Sequence, residues 1–310
     1  MQWAFALATF VAAAVSVAAS PHAKAQQSPA WTACVNEEKA SPDAQINACT
    51  EIIQSGKEAG QNLASAYNNR GNAYADKADY DRAISDYTKA IELDPQAVLA
   101  YYNRGLAYRR KGDYEGATAD YTRAIELDPK LAPAYSRRGN AYVHKGDDYR
   151  AIADYTKAIE LDPKDAHAYY NRGFAYDDSG DYNRAIADYT KAIELDPKYA
   201  NAYNGRCFAR AISGRAQFAL TDCDQALHLE PGDAYILDSR AFTYYQLGRY
   251  DEALADYDAA LKLDPKLAAA VYGLGLTKLK KGDPTGNTDV AAAKAIQPGI
   301  ADKMARYGIK

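Results

Sequence analysis

A proline returns every 34 residues through most of this chain, at Pro95, Pro129, Pro163, Pro197, Pro231 and Pro265. The text between prolines nearly repeats: YNNRGNAYADKADYDRAISDYTKAIELDP is followed by YYNRGLAYRRKGDYEGATADYTRAIELDP. A length of 310 residues would otherwise suggest two globular domains, but a registered period of this size overrides that expectation. Each unit is too short to bury its own apolar face, so the units must stack and share a continuous core.

Each unit reads as two helices. In the second copy, residues 99–111 are rich in helix formers and place Tyr101, Gly105 and Tyr108 on one face at spacings of four and three. Gly112 stops that helix, and the Asp113 carboxylate can cap the next. Residues 114–127 then present Ala117, Tyr121 and Ala124 on one face, and Asp128-Pro129 ends the unit. Glycine inside a helix costs about 1 kcal/mol relative to alanine, so Gly105 needs a packing reason. The reason expected here is the Tyr121 ring, with Ala117 opposite Tyr108 in the same way. The column Gly71, Gly105, Gly139, Gly173 repeats this logic. With 27 Tyr against 6 Phe, tyrosine is the aromatic of the core, and the aspartate before each second-helix tyrosine reads as a solvated face.

The small, Tyr, Ala, aromatic, Ala, Pro series resembles the tetratricopeptide-repeat family signature over residues 64–267, six units in all. The resemblance implies an all-α, right-handed superhelical solenoid of antiparallel hairpins whose first helices line a concave, peptide-binding groove. The fifth unit departs from the signature with Cys207 for Gly, Arg210 for Tyr and Cys223 for the second-helix aromatic. Residues 26–60 read as a degenerate capping hairpin (30–39 and 43–55), and 268–310 as a degenerate repeat. In that last segment, helices are expected over 268–281, from Thr288 through Ala295, and over 300–307 to cover the last edge.

By the resemblance, the groove candidates are Asn69, Asn72, Asn103, Arg109, Arg110, Arg137, Asn140, Asn171, Asp177 and Asp178. One branch of the family grips a terminal carboxylate with two asparagines and three basic residues. Asn72, Asn103 and Arg137 occupy three of those places, while Asn68 and Pro133 stand where lysine is expected. Along the groove, Arg109, Arg110, Arg137 and His144 precede Asp177 and Asp178, so a ligand is expected to meet a basic stretch and then an acidic one.

Residues 3–19 form an uncharged apolar run, and Ala23-Lys24-Ala25 follows with small residues where a signal peptidase reads. These features predict cleavage after Ala25 and a periplasmic or secreted protein with no stable membrane anchor; an uncleaved anchor is the alternative. Cys207 and Cys223 replace both partners of one glycine–tyrosine contact, and Cys34 and Cys49 are spaced alike in the front hairpin. Two disulfides are therefore expected in an exported chain.

Catalysis needs convergent reactive groups, and none are visible. His144, His167 and His228 fall at unlike places in different units, and there is no GxSxG, CxxC or phosphate loop. No enzyme activity and no cofactor are expected. A net charge of −4 argues against nucleic acid and against an RNA-binding helical repeat. The expected function is a non-catalytic scaffold for a protein or extended peptide partner. The alternative is an assembly factor or chaperone for an envelope complex.

Overall fold

The computed structural model describes residues 28–35 and 40–308, which hold seventeen α-helices and no strand. The apolar run and the cleavage site after Ala25 lie outside the described residues. The front hairpin pairs α1 (Pro29–Cys34) with α2 (Pro42–Ser55). Six regular hairpins follow: α3 (Gly60–Asp76) and α4 (Tyr80–Leu93), α5 (Val98–Arg110) and α6 (Tyr114–Leu127), then α7 (Ala132–His144) and α8 (Asp148–Leu161). The series continues with α9 (Ala166–Asp178) and α10 (Tyr182–Leu195), α11 (Ala200–Ile212) and α12 (Ala216–Leu229), and α13 (Ala234–Gln246) and α14 (Tyr250–Leu263). A seventh, degenerate hairpin pairs α15 (Ala268–Lys280) with α16 (Gly286–Ile296), and α17 (Ile300–Arg306) ends the described chain. No helix among the described residues is long and apolar enough to cross a membrane.

Glycine sets the distance between the two helices of a hairpin. A Cβ built on Gly105 would lie 2.8 Å from the Tyr121 ring, and one on Gly71 would lie 2.6 Å from Tyr87. Those tyrosines are fully buried, as are Ala83, Ala117, Ala151 and Ala185 opposite the first-helix tyrosines. Cys207 and Cys223 take over the glycine–tyrosine contact in the fifth hairpin, with their Cα atoms 5.4 Å apart. The Cα atoms of Cys34 and Cys49 are 4.8 Å apart in the front hairpin. Both pairs sit at disulfide distance, within the roughly 4.4–6.8 Å that such a bond spans.

The aspartate before each second-helix tyrosine is not a solvated face, contrary to the sequence expectation. Asp86, Asp120, Asp154, Asp188 and Asp256, and likewise Asp222 before Cys223, are buried, each held bidentately by an arginine sixteen residues earlier. Arg104 Nε and Nη2 meet the two Asp120 oxygens at 2.8 Å each, and its Nη1 donates to Thr88 Oγ1 of the preceding unit at 3.0 Å. One guanidinium thus fastens α5 to α6 and both to α4. The same threefold contact recurs at Arg70, Arg138, Arg172 and Arg206, and Arg240 reaches Asp224 where the others reach threonine.

The ends differ in detail from expectation. α16 starts at Gly286 rather than Thr288. α17 does not merely cover the last edge. After Pro298-Gly299 it turns inward, so that Tyr307 packs edge-on against Phe208 of α11 (ring centroids 5.2 Å apart).

The turn between the two helices of each hairpin from α3 to α16 holds a left-handed residue. Gly112, Gly146, Gly180, Gly214, Gly248 and Gly282 supply it with φ between 72° and 84°. In the first regular unit the place is taken by Ala78, at φ 58°. A side chain in this region costs about 1–2 kcal/mol, offset in part by the larger unfolded-state entropy of glycine. Ala78→Gly is expected to stabilise the protein by about 1 kcal/mol, and Gly112→Ala to destabilise it similarly. Urea unfolding checks both; a lower midpoint for Ala78→Gly would contradict this account.

Candidate functional site

First helices of successive units touch one another (α3 with α5, α5 with α7, α7 with α9, α9 with α11, α11 with α13, α13 with α15). No second helix touches the next second helix among the described residues. The array therefore curves with the first helices inside, and they form the concave wall. All ten groove candidates lie on those helices: Asn69 and Asn72 on α3; Asn103, Arg109 and Arg110 on α5; Arg137 and Asn140 on α7; Asn171, Asp177 and Asp178 on α9.

At the front of the groove the asparagines form a connected set. Asn103 Nδ2 donates to Asn68 Oδ1 at 3.2 Å and to Asn72 Oδ1 at 3.1 Å. The Tyr87 hydroxyl donates to the same Asn72 oxygen at 2.8 Å. Two donors converging on one atom fix the orientation of the Asn72 amide and leave its N–H groups directed away from them. In the third regular unit Asn140 has the equivalent role, accepting from the Tyr155 hydroxyl at 2.6 Å. Asn72 and Asn140 thus have a structural duty that the sequence did not reveal. Asn69 and Asn171 are half-buried in the column of Asn103 and Arg137.

The second unit lacks that asparagine and has Leu106 in its place. The Tyr121 hydroxyl is fully buried and has lost that asparagine acceptor. Arg109 and Arg137 are the charged groups acting on it, and Arg109 Nε is buried without a partner. Burial holds the Arg109 pKa below the ordinary arginine value, with Arg137 and Arg110 adding repulsion. Burial also raises the Tyr121 pKa, so its hydroxyl remains a donor. Arg110 is exposed at the end of α5. None of Arg109, Arg110 and Arg137 makes an ion pair among the described residues, whereas the six arginines that hold the buried aspartates, the frame arginines, all do. The cluster presents donors and positive charge with no carboxylate, an arrangement suited to an oxyanion.

The rear of the inner wall has another character. The column that begins Asn72, Leu106, Asn140 continues Phe174, Phe208, Phe242. Phe208 and Phe242 meet as tilted rings, centroids 5.5 Å apart, within an apolar cluster that also takes in Ile300 and Met304 of α17. Asp177 and Asp178 close this half. Burial pushes the Asp177 carboxyl up to about 8, with Asp178 adding to the effect, and Asp177 Oδ1 has no hydrogen-bond partner. Arg306 of α17 acts on Asp178. The acidic stretch expected to meet a ligand is therefore faced by the chain's own terminal helix.

Tetratricopeptide-repeat profiles match residues 68–132 and 166–199, and TPR-repeat profiles match 139–178 and 241–282, together more than half of the chain. The chain belongs to the tetratricopeptide-repeat family. Among solved structures, this TPR protein shares the fold of one from Parabacteroides merdae (TM-score 0.65, 21% identity, covering 79% of this chain and 98% of that one). It is also similar to YrrB, described as a TPR protein with an unusual peptide-binding site (TM-score 0.54, 26% identity, 63% and 98%). A third similar structure is MamA (TM-score 0.50, 30% identity, 52% and 94%). No curated protein matches the chain in sequence.

Proposed function

We propose that this TPR protein is a non-catalytic scaffold that binds a protein or an extended peptide along the front half of its concave wall. An acidic group of that partner would lie between Arg109 and Arg137. The observation that carries the reading is the contrast between two sets of arginines. The frame arginines are bidentately paired with buried aspartates, while Arg109 and Arg137 share a half-buried wall with the buried Tyr121 hydroxyl and no carboxylate. Leaving cations partly desolvated and uncompensated is unfavourable for folding, so the arrangement is better explained by a partner that completes it. The asparagine set at Asn68, Asn72 and Asn103 lies alongside and offers amide groups to an extended backbone. The peptide-binding description of YrrB supports a similar use of this fold.

We further propose that the protein works outside the reducing cytoplasm. The support is the apolar run before Ala23-Lys24-Ala25 and two cysteine pairs at bonding distance. The mature chain is expected to begin at Gln26 on N-terminal sequencing; an intact Met1 would contradict cleavage after Ala25.

The groove reading is tested by reversing the unpaired charges. Arg109→Glu combined with Arg137→Glu is expected to reduce partner capture at least tenfold, with helicity unchanged. Capture by the unaltered protein should also weaken with salt, because exposed charges are screened beyond about 10 Å at 0.1 M. Capture that survives the double change at full strength would place recognition elsewhere.

A further inference from the structure

The rear half of the inner wall already holds an occupant, and its fit describes a ligand. α17 has seven residues, too few to be stable as an isolated helix. Ile300, Met304 and Tyr307 stand at i, i+4 and i+7 and so share one face. Ile300 and Met304 are buried in the apolar cluster that contains Phe208, Phe242 and Leu274. Tyr307 lies edge-on to Phe208, and its carbonyl accepts from Gln246 Nε2 of α13 at 3.3 Å. Arg306, exposed on α17, acts electrostatically on the exposed Asp178.

We propose that this apolar half is a second recognition surface, for an amphipathic helix with apolar groups at i, i+4 and i+7 and a base at i+6, and that α17 is its internal, displaceable occupant.

Three observations support displacement rather than a permanent cap. Tyr307 carries the end of α17 back to α11 and α13, and Pro298-Gly299 supplies the break. Its docking leaves Lys303 Nζ buried without a hydrogen-bond partner, and burial, with Arg306 adding, pulls that ammonium down to about 8. Asp177, which acts on Tyr307, also has its Oδ1 buried without a partner. A buried polar group left unpaired is destabilising, so the docked state carries two unmet demands. A partner helix that keeps the apolar face and also brings a donor to Asp177 would meet a demand that α17 does not. This surface is separate from the Arg109–Arg137 cluster and does not depend on it.

The test uses the full-length protein and a fluorescent peptide of residues 298–310. A segment tethered by a short linker competes at an effective concentration on the order of millimolar, which masks the site from an added peptide. Tyr307→Ala in the full-length chain should loosen α17 and tighten peptide binding at least tenfold over the unaltered protein. Met304→Asp serves the same end should Tyr307→Ala fail to fold by circular dichroism. Adding the exposed Asp178→Lys change should lower that binding again, and a peptide carrying Arg306→Glu should restore it. Arg109→Glu with Arg137→Glu should leave peptide binding unchanged, so the two surfaces are judged separately. Folded variants that bind the peptide no more tightly than the unaltered chain would overturn the proposal, as would a charge swap that restores nothing.

Discussion

One arginine per repeat holds this molecule together. Each frame arginine spends two N–H groups on the aspartate of its own second helix and a third on the preceding unit. A planar five-donor guanidinium can do this, whereas a lysine ammonium has no matching fork. The contact closes the hairpin and sets the step to its neighbour in a single side chain. Removing one partner of a buried pair costs about 3–5 kcal/mol, because it strands the other charge. The glycine–tyrosine contacts depend on this step: a ring can rest on Gly71, Gly105, Gly139 or Gly173 only while the two helices stay that close. The curvature depends on it too, since the arginines sit on the first helices, which touch along the inside.

That rigid frame gives meaning to the residues that do not belong to it. With six arginines satisfied, Arg109 and Arg137 stand out as cations without acids, and Leu106 explains why the tyrosine between them has lost its acceptor. The inner wall then divides in two. Its front is polar and donor-rich, and its rear is lined by Phe208 and Phe242 and covered by α17.

Much of this was legible in the sequence. The 34-residue period fixes hairpins and stacking, because apolar faces of that length have no other way to be buried. The glycine–tyrosine and cysteine–cysteine contacts followed from columns that change in step. The Asp113 cap was also readable, and the structure shows its carboxylate accepting from the Gly116 N–H at 2.8 Å. The arginine frame was missed, although Arg70, Arg104, Arg138, Arg172, Arg206 and Arg240 recur with the same period. An aspartate beside a core tyrosine looks solvated until its partner, sixteen residues away, is placed against it. The duty of Asn72 and Asn140 as hydroxyl acceptors was hidden for the same reason, since it crosses between helices. The path of α17 had no repeated column to announce it. Its contacts with Phe208 and Gln246 occur once, and single long-range contacts leave no period in a sequence.

The central claim is that the inside of the curve, and not its outside, meets the partner. Site-specific photocrosslinking tests it most directly, in the cells that make the protein. A photoreactive residue at Arg110, exposed on the inner α5, is compared with one at Arg123 on the outer α6. The account predicts a discrete adduct from position 110 and none from position 123. An adduct from position 123 with none from position 110 would contradict it.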